Sequence, residues 1–177
     1  MKKILMAFAL LLPLVIFSSA DNAFVGQAAP FFKVKSGDNR ELSLNGLSGK
    51  IIVLFYETKE TKEENRKLKD ELNKFYDNQT EAVKNKVARV AVMNCEGVIF
   101  AGAWKKALLE NSKTEGITVY GDWSGEMGKA YKVKADDSNV IIIDDKGVIR
   151  YYNSGQIDNE KISEIKDLLN TLTKNDK

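Results

Sequence analysis

The apolar positions along this chain change period several times, and each change marks an element. Ile51 to Tyr56 (IIVLFY) is apolar on both faces of an extended chain, the pattern of a central sheet strand. Leu68, Leu72 and Phe75 then recur at four- and three-residue spacing, the single buried stripe of an amphipathic helix. Thr61 with Glu64 three residues later reads as the capping box that opens this helix, and Asp77-Asn78-Gln79 as its end. Before the strand, Phe31–Val34 and Glu41–Leu44 flank a turn-rich Ser36-Gly37-Asp38-Asn39 and predict a hairpin, preceded by an extended opening segment over 21–30.

After the helix the chain predicts a strand at Val87–Met93, a short helix at Trp104–Asn111, a strand at Ile117–Tyr120 and a helical piece over Ser124–Tyr131. Val140–Ile143 is a β-branched run, and Asp144-Asp145-Lys146-Gly147 turns it into a return strand at Val148–Tyr152. A last helix opens at Asp158, with Ile162, Ile165, Leu169 and Leu172 on its buried face. The order β-β-β-α-β-α-β-α-β-β-α describes an α/β sandwich around a mixed sheet.

The first twenty residues stand apart. Lys2 and Lys3 precede the apolar run Ile4–Phe17, and Ser18-Ser19-Ala20 supplies small residues at a cleavage site. That is the pattern of a secretory signal over 1–20, leaving one domain over 21–177 and no stable membrane anchor after cleavage. No cysteine sits at the cleavage site, which argues against lipid attachment.

Charge and composition then narrow the function. The chain holds 27 basic and 25 acidic residues, and loss of Lys2 and Lys3 balances them. A neutral domain lacks the electrostatic footprint of nucleic-acid binding. The chain has no histidine and a single cysteine, Cys95. Histidine-dependent triads and most zinc sites are therefore excluded, and no internal disulfide can form. No cofactor motif is present.

The leading hairpin, Gly49-Lys50 before IIVLFY, the helix after it, AYKVK at Ala130–Lys134 and VIIIDDKGVI at Val140–Ile149 together resemble the thioredoxin-like superfamily in its exported redoxin (TlpA-type) form. The likeness spans roughly residues 25–172. It implies a three-layer sandwich, a central mixed sheet flanked by helices, with an N-terminal β-hairpin. Within that class the Lys/Glu-rich turn, MNCEGVIFAGAW and the DDKG hairpin resemble the YtfJ-type bacterial periplasmic family. The resemblance places Glu60 and Glu63 where redox-active relatives carry two cysteines, and Ser138 where they carry a cis-proline.

Candidate chemistry is sparse. Glu57, Glu60 and Glu63 offer carboxylates for a hard cation, although acids in a first helical turn also serve the helix dipole. Cys95 follows a strand end, yet its neighbour Glu96 would oppose ionisation if it lies close, and free cysteine commonly behaves as a small hydrophobe. Phe100, Trp104, Tyr120 and Trp123 form a candidate binding surface, with the glycine-punctuated segment 97–104 as a contact patch, against the alternative of edge-of-core packing. The sequence favours an exported, periplasmic, redox-inactive binding or accessory module for a protein or small-molecule partner. The alternative is a thiol-dependent redoxin using Cys95 on a peroxide or a mixed disulfide.

Overall fold

The computed structural model describes residues 24–174. The expected signal over 1–20 lies outside them. A seven-stranded mixed sheet runs in the order β2-β1-β5-β4-β3-β6-β7. Its strands are β1 (Lys33–Ser36), β2 (Glu41–Ser43), β3 (Ile51–Glu57), β4 (Val87–Asn94), β5 (Val119–Asp122), β6 (Asn139–Ile143) and β7 (Ile149–Ser154). β3, β4 and β5 are parallel, and the remaining pairings are antiparallel.

All seven residues of β3 are buried because both faces of the sheet are covered at its centre. Ile51, Val53 and Phe55 face α1 (Arg66–Asp77) and α5 (Asn159–Lys174), meeting Leu68, Leu72, Ile162, Ile165 and Leu169. Ile52, Leu54 and Tyr56 face the other way, onto Met127 of α4 (Glu126–Ala130), Tyr131, Phe32 and Val34. A third cluster of Met93, Cys95, Leu108 and Val119 seats α3 (Ala101–Glu115) on the α1 side of β4 and β5. The result is the expected three-layer sandwich with its N-terminal hairpin.

The opening segment is tied to β7 rather than left free: Gly26 N–H donates to the Ile149 carbonyl, and Ile149 N–H donates to that of Gln27. Several boundaries move. α3 is longer than Trp104–Asn111 at both ends, β5 sits two residues later than expected, and a short α2 (Glu81–Lys86) follows α1. Thr80 caps α2 by accepting from Val83 N–H at 3.4 Å. At the predicted opening of α5, Asp158 Oδ1 accepts from Lys161 N–H at 2.9 Å.

The capping box does not form. α1 begins at Arg66, after a series of turns, and Asn65 before it makes no side-chain cap bond. Thr61 Oγ1 instead accepts from Thr58 N–H at 2.9 Å, and Glu64 Oε2 is taken by the N–H of Ser138 at 2.6 Å. Thr61 is drawn into a local turn bond and Glu64 into a tertiary one.

Candidate functional site

The parallel strands β3 and β4 end at the same edge of the sheet, where the 58–65 turn, the loop after β4 and the loop before β6 converge. Period-two alternation places Glu57 on the α1 face, in line with Val53 and Phe55, and Ser138 in line with Val140 and Ile142. Glu57 is 3 % exposed and Lys69 8 %, so a full ion pair lies in the interior. Glu57 Oε2 accepts from Lys69 Nζ at 2.7 Å, and Oε1 accepts from the Ser138 hydroxyl at 2.8 Å. Lys69 also donates to the Lys62 carbonyl at 2.8 Å.

Burial raises the Glu57 pKa, and this outweighs the opposing pull of Lys69 and of the Ser138 hydroxyl. Asn65 extends the brace, donating to the Gly155 carbonyl at 3.1 Å and accepting from Ile157 N–H at 2.9 Å. Asn139 holds the loop from the other side through the carbonyls of Lys134 and Asp137, both at 2.9 Å.

The two positions matched to redox cysteines are unlike the brace around them. Glu60 is exposed, and Glu63 is exposed and paired with Arg66 at 2.9 Å. Ser138 is fully buried, and no cis peptide bond occurs among the described residues. The cation reading fails on geometry. Both oxygens of Glu57 are committed to Lys69 and Ser138, Glu63 belongs to Arg66, and no acidic cluster able to hold a metal ion occurs among the described residues.

Cys95 lies past the end of β4 and is 1 % exposed. It packs with Met93, Leu108, Val119 and the half-buried Trp104 and Trp123. A Cβ on Gly121 would come within 3.0 Å of its sulfur and 2.9 Å of Trp123 Nε1, so only glycine lets β5 approach so closely. Burial pushes the Cys95 thiol up to about 12, and the nearby Asp122 carboxylate adds to the effect. Glu96, the neighbour expected to matter, instead pairs with Lys129 at 2.5 Å.

Asp122 escaped the sequence reading. It is 1 % exposed and accepts from the Tyr56 hydroxyl and from Gly128 N–H, each at 3.0 Å. Burial, then Asp122, raises the Tyr56 pKa far above the ordinary phenol range.

The four candidate aromatics do not share one surface. Trp104 and Trp123 belong to the Cys95 cluster, and Tyr120 points to the opposite face of the sheet. Phe100 is 75 % exposed beside Ile99 at 87 %, at the start of α3. Trp123 Nε1 also donates to the Lys35 carbonyl at 3.2 Å, which ties that ring to β1.

Seven strands in this order, with α1 and α5 on one face and α4 on the other, define a thioredoxin-like domain. The structure agrees in fold with a putative thiol:disulfide interchange protein DsbE from Chlorobium tepidum (TM-score 0.62, 17 % identity, 84 % of this chain and 97 % of that one). It agrees likewise with a thiol peroxidase from Chromobacterium violaceum (TM-score 0.60, 15 % identity, 83 % and 86 %). A reduced 2-Cys peroxiredoxin from Plasmodium vivax aligns at TM-score 0.55 and 21 % identity over 86 % of this chain and 99 % of its own. The AhpC/TSA family model matches residues 25–152, and the chain belongs to that family. No curated protein matches the sequence.

Proposed function

We propose that the chain is an exported member of the AhpC/TSA family that has left thiol chemistry and works as a binding or accessory module. One observation carries this reading. The sole thiol is buried, its pKa is pushed up to about 12, and it lies on the β4 side of the domain rather than in the turn of Glu60 and Glu63. A thiolate nucleophile needs a lowered pKa and access, and Cys95 has neither. The turn that would carry a dithiol is instead tied to the Glu57–Lys69–Ser138 brace, through the Lys62 carbonyl on Lys69 and the Glu64 carboxylate on the Ser138 N–H.

The signal pattern over 1–20 and the likeness to the YtfJ-type periplasmic family support a periplasmic location. N-terminal sequencing of the exported chain checks it, with Asp21 as the expected first residue. Peroxide consumption and disulfide exchange should both stay at background, equally in wild type and in Cys95→Ser. Turnover that disappears in Cys95→Ser would establish the thiol-dependent reading instead, which family membership favours.

A further inference from the structure

Between the 58–65 turn and α3 the surface opens into a pocket of about 340 Å³, within the size range of small-molecule sites. Met93 and Leu108 line its base, Ala103, Trp104 and Ala107 its α3 wall, and Lys59 and Lys62 its opposite rim. The two small alanines beside the Trp104 indole leave α3 concave and apolar along this face. A narrower cleft of about 60 Å³ adjoins the pocket, walled by Phe55, Leu72, Ala91 and Val119. Both share Lys62, Met93 and Asn111, so Lys62 stands where they meet.

Lys62 is poorly matched there. Its ammonium, with three hydrogens to donate, reaches the neutral Asn111 Oδ1 at 3.3 Å and comes only within 4.0 Å of Glu63. Lys59 is exposed and has no ion pair among the described residues. The acid Glu110 also lines the pocket, exposed and only loosely paired at 4.0 Å with Lys106 on the same helix, so the two lysines outnumber it. An apolar wall facing two cations, neither held in a close ion pair, suits an anion with an apolar body.

We propose that this pocket binds a small monocarboxylate with an aromatic or short aliphatic body. Lys62 and Lys59 take the carboxylate, and Trp104, Met93 and Ala107 take the body. The carboxylate gives Lys62 charge-assisted bonds, stronger than its bond to a neutral amide. An amine of the same shape meets two like charges against the single acid Glu110 and binds more weakly. This site deepens the reading of the chain as a binding module and rests on it.

Phenylacetate and phenethylamine are matched probes for the mature chain, followed through the indole N–H resonances. Phenylacetate should shift the Trp104 signal, assigned with Trp104→Phe, and the shift should saturate within the millimolar range. Lys62→Met should weaken binding about tenfold, the factor that a loss near 1.4 kcal/mol produces. Ala107→Leu, which fills the pocket with a good helix former, should abolish it. Equal responses to acid and amine, an unchanged affinity in Lys62→Met, or no saturable shift would each overturn the proposal. Cys95 takes no part in this binding. Failure here therefore leaves the non-redox reading standing, and failure of that reading registers separately, as turnover that depends on Cys95.

Discussion

Ser138 donates its hydroxyl to Glu57 across 2.8 Å, joining the loop before β6 to the end of β3. Its backbone N–H donates to Glu64 at 2.6 Å. One serine thus satisfies two carboxylates on either side of the turn that carries no cysteine. Ser138→Ala leaves a buried carboxylate oxygen without its partner and should cost about 1–3 kcal/mol. Ser138→Pro removes both donors and should cost more. Urea denaturation of the two variants reads the difference.

The Glu57–Lys69 pair is stable only as a pair. Lys69→Met strands Glu57 in the interior and should cost about 3–5 kcal/mol at neutral pH. Burial already raises the Glu57 pKa, so its unfolded form ionises first as pH rises and its contribution to stability falls across that interval. Acidification should therefore recover part of the loss in Lys69→Met as Glu57 takes up a proton. Adding Glu57→Gln should recover most of it, and a double-mutant cycle gives the coupling.

Glu115 carries the opposite sign. Its hydrogen bonds to Arg66, at 2.6 and 3.0 Å, hold its pKa below the ordinary value of 4.5. A depressed carboxylate contributes stability above its unfolded pKa and loses it as pH falls through the folded one. The stability difference between wild type and Glu115→Gln should be full at pH 7 and vanish in strong acid, as followed by thermal melts across pH.

Gly121 tests the packing around the thiol. Alanine there would press on Trp123 Nε1 and on the Cys95 sulfur at 2.9 and 3.0 Å. Overpacking of this kind costs about 1–3 kcal/mol. The loss should come with a change in Trp123 emission, since that ring is held to the Lys35 carbonyl.

The sheet was legible because its signals are local. IIVLFY and VIII carry strand patterning on both faces, and Asp144–Gly147 carries its own turn chemistry. The stripe of Leu68 and Leu72 was visible, but its companion Lys69 was not, because a lysine beside an apolar stripe ordinarily reads as solvated. Thr61 and Glu64 matched a local capping rule and were diverted by partners at Thr58 and Ser138, the latter distant in sequence. Asp122 gave no sign of its role, since its partners Tyr56 and Gly128 come from separate elements. For Cys95, the lone cysteine and the absence of histidine pointed to an inert thiol. Burial, the common fate of a free cysteine, raises its pKa with help from Asp122, while Glu96, which would act only if close to the thiol, is paired with Lys129.

The most direct measurement is the pH dependence of Cys95 alkylation in the folded mature chain. Labelling should be negligible at neutral pH with a midpoint near 12, and rapid at pH 8.5 only after denaturation. A midpoint in the folded protein below the free-thiol value of about 8.5 would contradict the inert-thiol reading and make Cys95 a working nucleophile.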